Sequence, residues 1–166
     1  ALEIARLGGW SRGGKNLVSH AGNSDSERGV AWPIPAAYMR AMFPQSPAAV
    51  AALSVATRFY SPALLNHSVR SYLWGVMYGR AHGIAFDDEL YYVSALLHDI
   101  GLTEPFDSHR LAFEDAGGRL AWVFGVAAGW SQERAARAEE IIMRHMKDEV
   151  SPAVDPESHL LQIATR

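Results

Sequence analysis

An all-α fold is what this sequence predicts, and three observations predict it. Apolar residues recur at helical spacing in one segment after another. Pro, Ser or Asp stands where each segment would begin. No stretch alternates apolar and polar residues for more than a few positions, so strands are not expected. With no internal repeat, the expected architecture is a single-domain helical bundle.

The elements follow in order. Residues 8 to 31 are rich in Gly, Ser, Asn and charge, so 1–31 reads as a loop-rich arm ahead of a helical domain over 32–166. Pro33 and Pro35 open a short helix over Ala36 to Phe43, and Pro47 opens another over Ala48 to Tyr60, proline being tolerated at a helix start. Pro62 starts a long helix from Ala63 to Ala81. Leu65, Val69, Leu73, Val76, Met77 and Arg80 recur along it, with His67, Arg70 and Trp74 on an adjoining face. His82-Gly83 ends it. Asp87-Asp88 caps a helix over Glu89 to Asp99 whose Tyr92, Val93, Ala95, Leu96 and Leu97 are apolar enough to predict burial. Gly101 leaves that helix. Asp107-Ser108 offers a cap for a helix from His109 to Val126, and Ser131 one for a helix through Met146. Pro152 and Pro156 bracket a turn before a last helix from Glu157 to Arg166.

Composition narrows the function. A chain of 166 residues with 49% hydrophobic and 20% charged residues fits one globular domain with a real core. A net charge of −3 gives no electrostatic footprint for nucleic acid. No run approaches the ~18 to 20 apolar residues of a membrane span. The absence of cysteine removes thiolate metal sites and disulfides, and agrees with a cytoplasmic address. Any metal must therefore use histidine and carboxylate. The chain begins at Ala1 without methionine and stops in a helix at Ala164-Thr165-Arg166, so a longer protein is expected.

His98-Asp99, at the end of an apolar run, is the pair that most needs a reason. Both side chains bind divalent metals. Neighbours on a helix diverge by ~100° and would face one ion only where the helix ends, and Gly101 supplies such an end. His67, in Asn66-His67-Ser68-Val69-Arg70, belongs to a polar patch on an otherwise apolar helix; the ordinary alternative is a surface or hydrogen-bonded core histidine. His145 shares a helix face with Ala138, Ile141 and Ile142, so it points towards the core, as a ligand or as a buried histidine bonded to a carbonyl. His109 opens a helix and is either a further ligand or solvated. Glu114 either pairs with Arg110 at the helix surface or orients a ligand and moves a proton.

The ordered set resembles the HD superfamily of metal-dependent hydrolases, a helical family. Its four ligands are a histidine, an adjacent His-Asp pair and a distant aspartate. Locally it resembles the cyanamide hydratase branch. Asn66-His67-Ser68-Val69-Arg70 with Tyr72 and Gly75 resembles the Asn-His-Ser-x-Arg helix. Leu96-Leu97-His98-Asp99-Ile100-Gly101 matches Leu-Leu-His-Asp-Ile-Gly, and Phe113-Glu114 with Gly117-Gly118 resembles Phe-Glu-x-x-Gly-Gly. Ala138-Glu139, Ile141-Ile142 and Arg144-His145 resemble a fourth segment, with Met143 as an extra residue. The likeness runs from about Ile34 to Arg166.

The resemblance implies an HD-type metal-binding domain with His67, His98 and Asp99 as ligands, and a fourth, an aspartate, expected just beyond Arg166; Asp155 comes too early. His109 stands where the hydratases usually show a small hydroxyl residue, and with His145 it could support a second metal. Nitrogen and oxygen donors suit zinc or iron first, then manganese or nickel. The implied reaction is metal-assisted addition of water to a small nitrile-type substrate, cyanamide giving urea. Asp99 serves the chemistry as well as the metal. Glu114, His145 and Arg70, in that order, are candidates for orientation or proton delivery, and Trp74, Phe106 and Phe113 for pocket walls. An HD phosphohydrolase acting on a nucleotide or phosphate ester is the alternative, although Leu102 stands where HD nucleotidases carry a glutamate. A non-catalytic helical metal-binding domain is a third reading. The implied partner is a small molecule rather than nucleic acid or membrane, with a homo-oligomer left open.

Overall fold

A computed structural model describes residues 42–147 and 149–166. The chain divides into two units, 1–43 and 44–166. The arm over 1–31 lies outside the described residues, as does all but the end of the helix expected from Ala36 to Phe43.

Unit 44–166 is helical, with six α-helices and no strand among the described residues. Ser46 accepts a hydrogen bond from the Ala49 amide and Pro47 takes the first turn of α1 (Pro47–Phe59). Ser61 and Pro62 repeat the device for α2 (Pro62–Ala81), whose end is marked by Gly83 at φ 66°. Asp87 caps α3 (Asp88–Leu97), and a 3₁₀ turn follows at Ile100–Leu102. After a loop come α4 (Phe113–Ala127) and α5 (Gln132–Arg144), joined through Gly129 at φ 88° and capped at Ser131. Asp155 caps α6 (Pro156–Thr165). No helix of the described residues is long and apolar enough to cross a membrane.

The core is organised around α3. The other five helices all touch it, so its residues from Leu90 to Leu97 are buried on every side, as their apolar run predicts. Two tyrosine hydroxyls brought inside are matched: Tyr91 donates to the Ser71 carbonyl at 2.9 Å, and Tyr72 to Asp88 at 2.9 Å. Small residues let the partners come close. The buried side of α1 is Ala48, Ala49, Ala52 and Ala56, and that of α2 includes Ser68, Ser71, Gly75 and Gly79.

Three expectations are corrected. Met77 recurs with Leu65 and Val76 along α2, but it is exposed while those two are buried together with Tyr72, Ser68, Ser71, Gly75 and Gly79. The helix expected from His109 starts at Phe113. Asp107 accepts from the His109 amide, and Ser108 accepts from the amides of Arg110 and Leu111, so these side chains turn the backbone away from a helix. The helix expected through Asp99 ends at Leu97.

An ion-pair network holds the site's outer helices. Asp155 is 2% exposed and accepts from Arg137 at 2.7 Å, Arg144 at 2.9 Å and the Ser158 hydroxyl at 2.7 Å. Glu157 accepts the Asp87 amide at 2.7 Å, and Arg134 binds Asp87 and Glu89. The starts of α3 and α6 are thereby fastened to each other and to α5.

Candidate metal centre

Where α3 stops, its last side chains turn into a space faced by the second turn of α2. His98 is the C-cap residue, and Asp99 follows at φ −101°, ψ 9°, outside helical geometry. That break lets adjacent residues aim at one point. His98 Nε2 lies 3.2 Å from Asp99 Oδ2 and 3.2 Å from His67 Nε2, and His67 Nε2 lies 3.5 Å from Asp99 Oδ2. Among the described residues these three form a group able to hold a metal ion.

Hydrogen bonding prepares the donors. His98, fully buried, gives its Nδ1 proton to the Ala95 carbonyl at 2.9 Å. A carbonyl can only accept, so the neutral ring has its lone pair on Nε2. Burial first, and then the neighbouring His98, lower the pKa of His67, which keeps it a neutral donor. Burial alone would raise the Asp99 carboxyl. The imidazoles around it, His98 first and then His67 and His145, outweigh it and hold Asp99 below the usual carboxylate range. Two imidazole lone pairs and a carboxylate oxygen converging this closely repel one another unless a cation or proton sits between them. The donor set thus fits a divalent ion with nitrogen and oxygen preferences.

A cavity of about 330 Å³ opens on the three donors and is also lined by Phe113, His145, Lys147 and Thr165. His145 caps the end of α5, is 5% exposed, and has its Nδ1 bonded to the Ile142 carbonyl. Its ring meets that of His98 edge to face at 5.0 Å between centroids. Burial lowers its pKa, opposed by the Ile142 carbonyl. Beside the carboxylate, Tyr60 is buried; burial, then the Asp99 charge, push its phenol up.

The remaining expected residues divide. Glu114, in the first turn of α4, acts on His145 through its charge but does not line the cavity. Arg70 lies beside His67 in an adjoining cleft with Trp74. Phe113 is a wall, whereas Phe106 packs on Phe59 at 4.8 Å and lines neither space. His109 is not brought to the centre. It stands at φ 53° in the loop, its side chain 84% exposed and paired with Asp107 at 2.9 Å. Asp155 is held by its arginines. Lys147, Thr165 and Tyr60 went unread in the sequence. For Lys147 the available signal was its place two positions past a core-facing histidine.

Two comparisons define the class. An HD domain profile matches residues 64–166, which include all three donors, and the chain belongs to the HD domain family. It is similar to two proteins of Saccharomyces cerevisiae, cyanamide hydratase DDI2 and cyanamide hydratase DDI3. Each is 33% identical over 127 residues, 74% of this chain and 56% of theirs. The chain therefore spans little more than half the length of these relatives.

Proposed function

We propose that the chain is a metal-dependent hydrolase of the hydratase type, adding water to a small nitrile-type substrate, with cyanamide to urea as the reaction to test. The observation that carries this reading is the convergence of His67, His98 and Asp99 on one point of a cavity that also holds His145. It is supported by the likeness to two cyanamide hydratases.

His67 Nε2, His98 Nε2 and Asp99 Oδ2 would hold the ion. Thr165 and Arg166, at the end of α6, line the same cavity. A divalent ion in such a set, zinc or iron first, supplies Lewis acidity and lowers the pKa of bound water towards about 7. The protein's own part is proton handling. Hydration of a nitrile removes a proton from water and delivers one to the nitrogen. His145, with Nδ1 committed to Ile142, keeps Nε2 for that exchange, and burial holds the ring neutral and ready to accept. The Glu114 charge favours the imidazolium formed in transit. Arg70 never releases its proton near neutral pH, so its contribution is charge and binding, not proton delivery.

A phosphohydrolase reading is favoured by one observation, the lysine lining the cavity: Lys147 would meet a phosphate oxygen there. The experiment separates the two. Purified protein is incubated with cyanamide and, in parallel, with a nucleotide panel, and urea and phosphate are measured. Urea without phosphate is expected; phosphate without urea would replace the hydratase reading by the other.

A further inference from the structure

The space at this centre is larger than cyanamide alone needs. Liquid water takes about 30 Å³ per molecule, so a molecule little larger than a pair of waters needs on the order of 60 Å³. The cavity over the donors offers about 330 Å³, and a second cleft of about 310 Å³ adjoins it, sharing His67. Spaces of this size suit molecules with several functional parts.

The second cleft has a definite chemistry. On one side α2 presents Arg70, Ser71, Trp74 and Tyr78, and on the other lies the end of α6 at Ile163 and Ala164, with Arg166 as a second cation. No Asp or Glu side chain among the described residues lines it, and Arg70 makes no ion pair among them. Trp74 is 56% exposed, an apolar ring left in water beside the reaction centre. Tyr78 is held in place by stacking on His82 at 3.9 Å between centroids. Arg70 follows His67 by one turn of α2, so a group bound to Arg70 lies beside the three donors.

We propose that this cleft is a recognition subsite for a flat ring bearing an oxyanion, carried by the substrate next to its reacting group. The ring lies against Trp74 and Tyr78, the oxyanion meets the Arg70 guanidinium, and the reacting group passes His67 to the donors. Arginine matches planar oxyanions with paired N–H donors, and aromatic faces take flat rings with little loss of side-chain freedom. The assignment rests on the three-donor group being the reaction centre, and it makes cyanamide a fragment of the preferred substrate.

Binding, read without turnover, tests it. Isothermal titration calorimetry on the full protein compares 4-cyanobenzoate, benzonitrile and phenyl phosphate. An oxyanion probe should bind about tenfold or more tightly than benzonitrile, the range of a charge-assisted hydrogen bond. In Arg70→Gln that advantage should disappear, and Arg70→Lys should restore part of it. Trp74→Ala should weaken all three probes. Because a carboxylate could bind the metal instead, the titrations are repeated after chelation and in His98→Ala, where the Arg70-dependent advantage should persist. If phenyl phosphate exceeds 4-cyanobenzoate and both depend on Arg70, the subsite stands with phosphate as its anion. Equal binding of benzonitrile and the anions, no effect of Arg70→Gln, or loss of the advantage with the metal would each overturn the proposal. Failure to release urea from cyanamide would count against the hydratase reading while leaving these affinities unchanged.

Discussion

His98 is a competent donor because its other ring nitrogen is already committed. The Ala95 carbonyl fixes the tautomer, and complete burial fixes the ring. His98→Ala should therefore weaken metal binding more than the 10–100-fold typical of losing a supporting group, about 100-fold or more, read by metal analysis after gel filtration. A variant that keeps its full metal content would refute the centre. His145 gives the contrasting result, being outside the three-donor group yet in the same cavity. His145→Gln should keep its metal and lose turnover by about 100-fold, within the range of general acid–base catalysis. Loss of metal in step with activity would make His145 a ligand instead.

At the scale of elements, close backbone contacts decide where the donors point. A Cβ on Gly101 would lie 2.2 Å from the Phe113 carbonyl oxygen, and one on Gly117 would lie 3.0 Å from the His98 carbonyl oxygen. These two glycines let α4 seat directly on the end of α3. Gly101→Ala should cost about 1–3 kcal/mol, the usual range for overpacking, and weaken metal binding as the 3₁₀ turn shifts. Urea unfolding and metal titration measure the two effects, and an unchanged pair would show that α4 does not position the centre. Much of this region was legible in the chain. His98-Asp99 followed by Gly101 marked a helix end with candidate ligands on it. What escaped was set by tertiary contact. The periodicity of large apolar residues ran on through Met77, which is exposed, while the buried side of α2 includes Ser68, Ser71, Gly75 and Gly79, which carry no hydropathy signal. His109 was misplaced for a local reason, since Asp107 and Ser108 serve a turn as readily as a helix cap.

The ion-pair network between α5 and α6 was invisible for a related cause: Arg137, Arg144 and Asp155 meet only after the chain turns back. Burial would raise the Asp155 carboxyl, but the hydrogen bonds from Arg137 and Ser158 outweigh it and hold it below its ordinary value. A depressed carboxylate stabilises the fold above the unfolded pKa of about 3.9, and that stability is lost as pH falls through the folded value. Asp155→Asn should thus cost about 2–3 kcal/mol, discounted from a fully buried pair because both arginines are partly exposed. The deficit should be constant from about pH 5 to 8 and close only below about pH 4. Denaturant melts across that range measure it, and a deficit that vanishes near pH 6 would show that another group titrates.

For the whole molecule, an occupied centre would act as a staple. His67 comes from α2 and His98-Asp99 from the end of α3, the helix that every other helix of the unit touches, so an ion held by all three ties a peripheral helix to the hub. Unfolding separates these donors by 31 positions of chain between His67 and His98, and binding must then favour the native state. At a free metal concentration 100 times the dissociation constant the linkage amounts to about 2.7 kcal/mol, and in a domain of this size each kcal/mol moves Tm by about 2–4 °C. Adding zinc or ferrous iron to chelated protein should accordingly raise Tm by about 5–10 °C, and the His98→Ala protein should show no rise. An equal rise in both would place the stabilising ion elsewhere on the molecule, away from the end of α3.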